Sequence, residues 1–383
     1  MPAMEIVQTK LNRFQAAVIA LSRWAIVPTD LLASKNNRLA YVDFMRGWMI
    51  CLVVIAHCFG QSAMQQDSWL WNLNPTGWAT KVFVMLTGFS ALVILRADRK
   101  ENANRIYRRA LQVALIALIS NMLSVMLTKV SITAAIDSLL FRLPWTISQF
   151  LIPTALILAI SPSVARLCHR FGSGHIVLVC VVVWFGSDWL AWYYGENLTG
   201  LAELALHGNA IISLPILHYV LAGMSVQALA AWLADCASEK DTQSLKLFSL
   251  SSFGIGTAVL IGDMYWNDWI GDIDHLLNAA VALSRFVVFL HLSLWICRAA
   301  EIGSDWALKL AGFIKPIGQS ALLIFIGHRP VVHAVGALVN DWSRFELAKL
   351  VFLIVWVFVI LQFGLQIRAR SNLLHRRLAS LGF

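Results

Sequence analysis

The sequence predicts an all-α, polytopic membrane helical bundle of about ten transmembrane helices with both termini cytoplasmic. Three observations predict it. Of 383 residues, 59% are hydrophobic and only 13% charged, too apolar for an ordinary soluble domain; the mean hydropathy of +0.70 agrees. Apolar stretches long enough to span recur at 44–63, 77–96, 106–128, 145–160, 176–194, 210–234, 245–262, 276–297, 317–339 and 347–367. The loops between them are asymmetric in charge. An inside N-terminus leaves only Lys129, Arg142, Arg344 and Lys349 as basic residues on the opposite side, which instead collects Asp67, Glu196, Glu203, Asp263, Asp268, Asp272 and Asp274. Most of the remaining basic residues then face the cytoplasm, the positive-inside pattern.

Residues 1–40 form a cytoplasmic N-terminal segment, amphipathic over 5–33, with Lys10, Arg13 and Arg23 among apolar residues. Arg23 interrupts the apolar stretch and no small-residue cleavage site follows. An interfacial helix is expected there, not a signal peptide or a further span. Residues 41–368 hold the spans as one transmembrane domain, and 369–383 form a basic cytoplasmic tail. Lys81 stands in the second span, Arg105, Arg108 and Arg109 open the third, Arg285 interrupts the eighth, and His328 sits within the ninth, before Arg329-Pro330. No repeat of a common transporter fold is visible. The six cysteines form no CxxC pair and the sequence offers no metal site. The sixteen tryptophans fit interfacial belts, and the net charge of +9 fits basic cytoplasmic loops. The partner implied is the lipid bilayer, not nucleic acid. With loops this short, any chemistry belongs within the membrane or at its edge.

Arg46 and His57 are the most informative pair. A charge and an imidazole in hydrocarbon are expensive and mark function by default. Eleven helical steps leave them roughly 20° apart around the axis and about 16 Å apart along it. Asp43 falls within roughly 60° of the same stripe. Two readings of Arg46 stay open: a role in a site, or a side chain that snorkels or pairs with Asp43. His57 is either a base kept neutral by its apolar surroundings or a polar residue bonding a neighbouring helix. Arg105, Arg108 and Arg109 suit phosphate groups, yet topology alone also demands basic residues there. Lys81 and Arg285 are expected to face the bundle interior or a wet cavity, or, for Lys81, the interface.

The opening Asp43-Phe-Met-Arg46-Gly47, with His57 after it, resembles the acyltransferase-3 superfamily. Val82-Phe83-Val84-Met85-Leu86-Thr87-Gly88-Phe89 is similar to that family's aromatic-rich second segment, with Thr87 where Ser is usual. Gly318-Gln319-Ser320 followed by Phe325 and His328 is similar to its late motif. Within the clan, the chain also resembles membrane succinyltransferases of periplasmic glucans and, more faintly, the membrane-bound transacylase encoded with bacterial cellulose synthase. The resemblance implies a multi-pass enzyme of the bacterial inner membrane. It would move an acyl group, acetyl or succinyl, from cytoplasmic acyl-CoA to hydroxyls of a carbohydrate, bacterial cellulose or another glucan, alongside polysaccharide synthesis machinery. No permanently bound cofactor is expected. His57 would be general base and Arg46 its catalytic partner; Arg105, Arg108 and Arg109 would bind the donor; Asp43, Ser320, His328 and Arg285 are further site candidates. This chain has Ala110-Leu111 where family members often place a proline after the arginines. Two alternatives stand beside this: a transporter or flippase for a sugar-linked substrate, and an aminosugar N-acetyltransferase.

Overall fold

A computed structural model describes residues 39–63, 78–97, 99–129, 131–139, 149–194, 200–206, 215–238, 242–266 and 274–325, with isolated helical positions at 355 and 359. The described residues form helices and no strand: α1 (Ala40–Ala63), α2 (Trp78–Ala97), α3 (Arg99–Lys129), α4 (Ile132–Leu139), α5 (Leu151–Phe171), α6 (Ser173–Tyr194), α7 (Gly200–Leu206), α8 (Ile216–Ser238), α9 (Thr242–Trp266), α10 (Asp274–Glu301) and α11 (Asp305–Gln319). Six helical stretches, in α3, α5, α6, α8, α9 and α10, are long and apolar enough to cross a membrane. The all-α membrane bundle is therefore as expected. The interfacial segment 5–33, the tail 369–383 and the last expected span, 347–367, lie outside the described residues, apart from helical 355 and 359.

Some boundaries differ from the expected ones. The fourth span, expected at 145–160, begins at Leu151 and runs through Ser161-Pro162-Ser163 to Phe171. Pro162 lies well inside it, because in a bundle neighbouring groups can satisfy what a proline frees. The helix before Gly318 was not anticipated. It starts at Asp305 and buries Ala307, Ala311, Ile314 and Ile317 on one face, with Trp306, Leu308 and Phe313 exposed. At fifteen residues it is about 22 Å long, too short to cross. A further helical stretch, 321–325, follows Ser320.

Outward apolar and inward small or polar residues give the bundle its order, as lipid contact demands. On α3, Leu111, Leu115, Ile119 and Leu123 form an exposed stripe at four-residue spacing. On the inside, backbones meet at glycines. A Cβ at Gly88 would strike the Gly223 carbonyl, which brings α2 against α8; one at Gly318 would strike the Asp43 carbonyl, which brings α11 against α1. α8 is the hub, packed on α2, α5 and α6, while α9 rests mainly on α10. Gly172 (φ 83°) and Gly303 (φ 89°) turn the chain between α5 and α6 and between α10 and α11. Gly303 closes α10 with the paired bonds Ser304 N–H to Ala299 C=O and Gly303 N–H to Ala300 C=O, a cap that left-handed glycine favours. These turns lie at one end of the bundle, where α2 and α8 also end, where α3 opens with Arg99-Lys100, and where Arg170 and Arg298 stand in the last turns of α5 and α10. We call it the basic end and its opposite the far end.

Candidate active site

The first turns of α1 meet α2 and α11 near the basic end. Arg46, with 30% of its side chain exposed, approaches Asp43, itself 5% exposed, at 3.7 Å between Nη1 and Oδ1. Its other nitrogen, Nη2, donates to Ser90 Oγ at 2.7 Å, and the Ser90 hydroxyl donates to the Leu86 carbonyl at 2.6 Å. Arg46 is thereby aimed across to α2 instead of being free to swing along α1. On the other side of Asp43, Gln319 Nε2 donates to Oδ2 at 3.4 Å. Gly318 and Gly47 allow that approach, since a Cβ on either would collide with backbone of the opposite helix. The opening motif and the late motif, nearly three hundred residues apart, are thus one place in the fold. Ser320 is buried just beyond, its backbone N–H donating to the Pro316 and Ile317 carbonyls.

Of the three arginines on α3, one joins this place. Arg109 is half-buried and within electrostatic range of Arg46, so the like charges repel. Arg105 and Arg108 are exposed. Beside Arg109, an apolar cleft of about 460 Å³ opens between α3 and α5, lined by Tyr107, Ala110, Ala114, Ala117, Ile152 and Ala155 among others. Apart from the Tyr107 phenol, its lining is aliphatic.

His57 lies on α1, and its side chain is outside the described residues, as is all of His328. The backbone still gives its level. Consecutive spanning helices alternate in direction, so eleven residues forward from Arg46 on α1 correspond to eleven back from Ser90 on α2, that is Ala79. His57 is therefore level with a point less than one turn from Lys81. Lys81, half-buried, attracts Asp188 of α6 and repels Arg285 of α10 across the bundle. Asp188 in turn pairs with His218 of α8, Oδ1 to Nδ1 at 2.9 Å, with side chains 3% and 8% exposed. Sequence reasoning did not single out Asp188, His218, Ser90 or Gln319. For the first two a signal existed, since each is an ionisable residue inside an apolar run.

A second buried histidine shows what a structural one looks like here. His291 of α10 donates from Nδ1 to the Val287 carbonyl at 2.7 Å, and its Nε2, 2.8 Å from Ser249 Oγ, accepts from that hydroxyl. Both nitrogens are used, and α9 is tied to α10.

A family model described as an acyltransferase domain, of the acyltransferase-3 type, matches residues 39–363. The chain belongs to the acyltransferase-3 family. Comparison with curated proteins and with solved structures gives no match. The match begins at the residue before α1 and takes in Asp43, Arg46, His57, Gly318 and Ser320, so that both motifs fall within the family's domain. This acyltransferase-3 protein is a membrane-bound acyltransferase whose two motif regions meet at the base of α1.

Proposed function

We propose that this protein transfers an acyl group, acetyl or succinyl, from a cytoplasmic acyl-CoA to hydroxyls of a carbohydrate polymer, a cellulose or other glucan, in the bacterial inner membrane, with both termini inside and about ten spans. The observation that most supports it is the holding of Arg46 by Asp43 and Ser90, on the helix that carries His57 deeper in the bundle. Arg46 and Arg109 together suit the phosphates of an anionic donor at the basic end. His57, about 16 Å farther along α1, is the general base. The acceptor oxygen attacks the thioester carbonyl as His57 takes its proton; the new C–O bond forms, the C–S bond breaks, and the proton passes on to the departing thiolate. Arg105 and Arg108, being exposed, serve the donor only at long range.

The experiment supplies labelled acyl-CoA and a glucan acceptor to the purified full-length protein, with His57→Ala beside the wild type. Label on acceptor hydroxyls that vanishes in the variant is the expected result. Movement of a sugar-linked substrate across the membrane without acylation, unaffected by the substitution, would establish the transporter reading instead; label on an amino group would establish the N-acetyltransferase one.

A further inference from the structure

The hydrogen-bonded pair between α6 and α8, Asp188 with a neutral His218, has one good contact and two atoms left over. His218 Nδ1 and Asp188 Oδ1 are 2.9 Å apart. Asp188 Oδ2 and His218 Nε2 are both buried and meet no hydrogen-bond partner among the described residues. Each such atom costs roughly 1–3 kcal/mol if it stays unmade. His291, by contrast, uses both its nitrogens. With Nδ1–H directed at the carboxylate, Nε2 is a hydrogen-bond acceptor, and Oδ2 is one as well. Two spare acceptors on one pair in a low-dielectric interior fit a ligand that brings O–H donors.

Their position fits the acceptor and not the donor. Asp188 is six residues, about 9 Å, short of the end of α6, and His218 is the third residue of α8. Both are therefore in the far half. Trp189, Tyr193 and Tyr194, exposed at the end of α6, with Trp189 and Tyr193 stacked at 5.4 Å, form the aromatic edge expected at a membrane interface. Lys81 of α2 is attracted by Asp188 and repelled by Arg285 of α10, and His57 is level with the Lys81 turn. Arg46 on α1, Ser90 on α2 and Gln319 on α11 are at the basic end.

We propose that Asp188 Oδ2 and His218 Nε2 form the binding subsite for the hydroxyl-bearing acceptor, entered from the far end. Asp188 fixes the imidazole through Nδ1, and the two remaining atoms each accept a hydrogen bond from an acceptor hydroxyl while a neighbouring hydroxyl is presented at the level of His57. They are positioning residues, not the base. This inference rests on acyl transfer to a hydroxyl and adds where that hydroxyl is held.

The test titrates the purified full-length protein with cellotetraose in the absence of donor, then measures turnover with labelled acyl-CoA. Asp188→Asn and His218→Gln, which preserve size, are compared with wild type and with His291→Gln as a structural control. Each subsite variant is expected to weaken cellotetraose binding about tenfold or more, to raise the acceptor KM in step, and to leave the donor KM unchanged. His291→Gln is expected to lower Tm without moving the acceptor KM. Failure of the wild type to bind cellotetraose, equal binding by wild type and both variants, or a change confined to the donor KM would each overturn the subsite. Binding that depends on the pair without any label transfer would leave the subsite standing and sink the acyl-transfer reading. Label transfer with an unmoved acceptor KM would do the reverse.

Discussion

The two ends of this bundle hold their polar residues in opposite ways. Near the basic end, Arg46 is surrounded by short-range support: Asp43 one turn away on its own helix, Ser90 across on α2, and Gln319 steadying Asp43 from α11. In the far half, Asp188 and His218 come from two helices thirty residues apart in the chain and keep one polar atom each unmatched. A fully supported arginine is a fixed fork that waits for a ligand of known shape, a phosphate or carboxylate. A pair with spare acceptors is suited to a ligand that supplies its own donors. On the proposed reading, the difference separates a place for an anionic donor from a place for an alcohol, with His57 on the helix that runs from the first toward the second.

Substitutions can break or sharpen that contrast. The largest effect is expected at His57, between the two places: His57→Ala should lower the acyl-transfer rate about 10²- to 10⁴-fold, as loss of a general base does, with substrate binding retained. Next comes Arg46→Ala, which should raise the donor KM by about tenfold to a hundredfold and leave cellotetraose binding unchanged. An equal loss at both ends would merge the two places into one. Gly318→Val tests the architecture instead of the chemistry. Its new Cβ collides with the Asp43 carbonyl, so a loss of about 1–3 kcal/mol is expected, read as a lower Tm. Ser90→Ala removes a bond that aims Arg46 at α2, and the donor KM should rise about tenfold while kcat changes little. The smallest change is expected for Arg105→Ala or Arg108→Ala, both exposed, for which the donor KM should move less than about twofold at moderate salt.

The same contrast explains what the sequence revealed. Asp43 and Arg46 are three residues apart on one helix, so their partnership follows from helical period alone. The bundle class follows from the apolar runs, because lipid makes length and polarity nearly sufficient. Gln319 was passed over inside a motif read for its serine, because nothing in one sequence says that Gly318 lets α11 lie against Asp43. The three arginines of α3 read as a group by spacing, yet burial divides Arg109 from Arg105 and Arg108; exposure depends on which neighbours α3 packs against, and that is a tertiary fact. Asp188 and His218 each stood in an apolar run, but their meeting depends on α6 and α8 packing side by side. His328 and the side chain of His57 are outside the described residues, so their part in the site rests on the motif.

The glycine contact between α1 and α11 has a mechanical consequence. With the Gly318 position seated on the Asp43 carbonyl and that of Gly47 on the Ile314 carbonyl, nothing thicker than a hydrogen atom can pass between those backbones. On the proposed reading, a bulky nucleotide donor has no gap to enter between these two helices. An anionic donor enters instead, on that reading, beside Arg109 and Arg46, whose like charges repel each other and would be relieved by its phosphates. A covalent cross-link joining α1 to α11 is expected to leave donor turnover intact, and a tether across the arginine flank to abolish it.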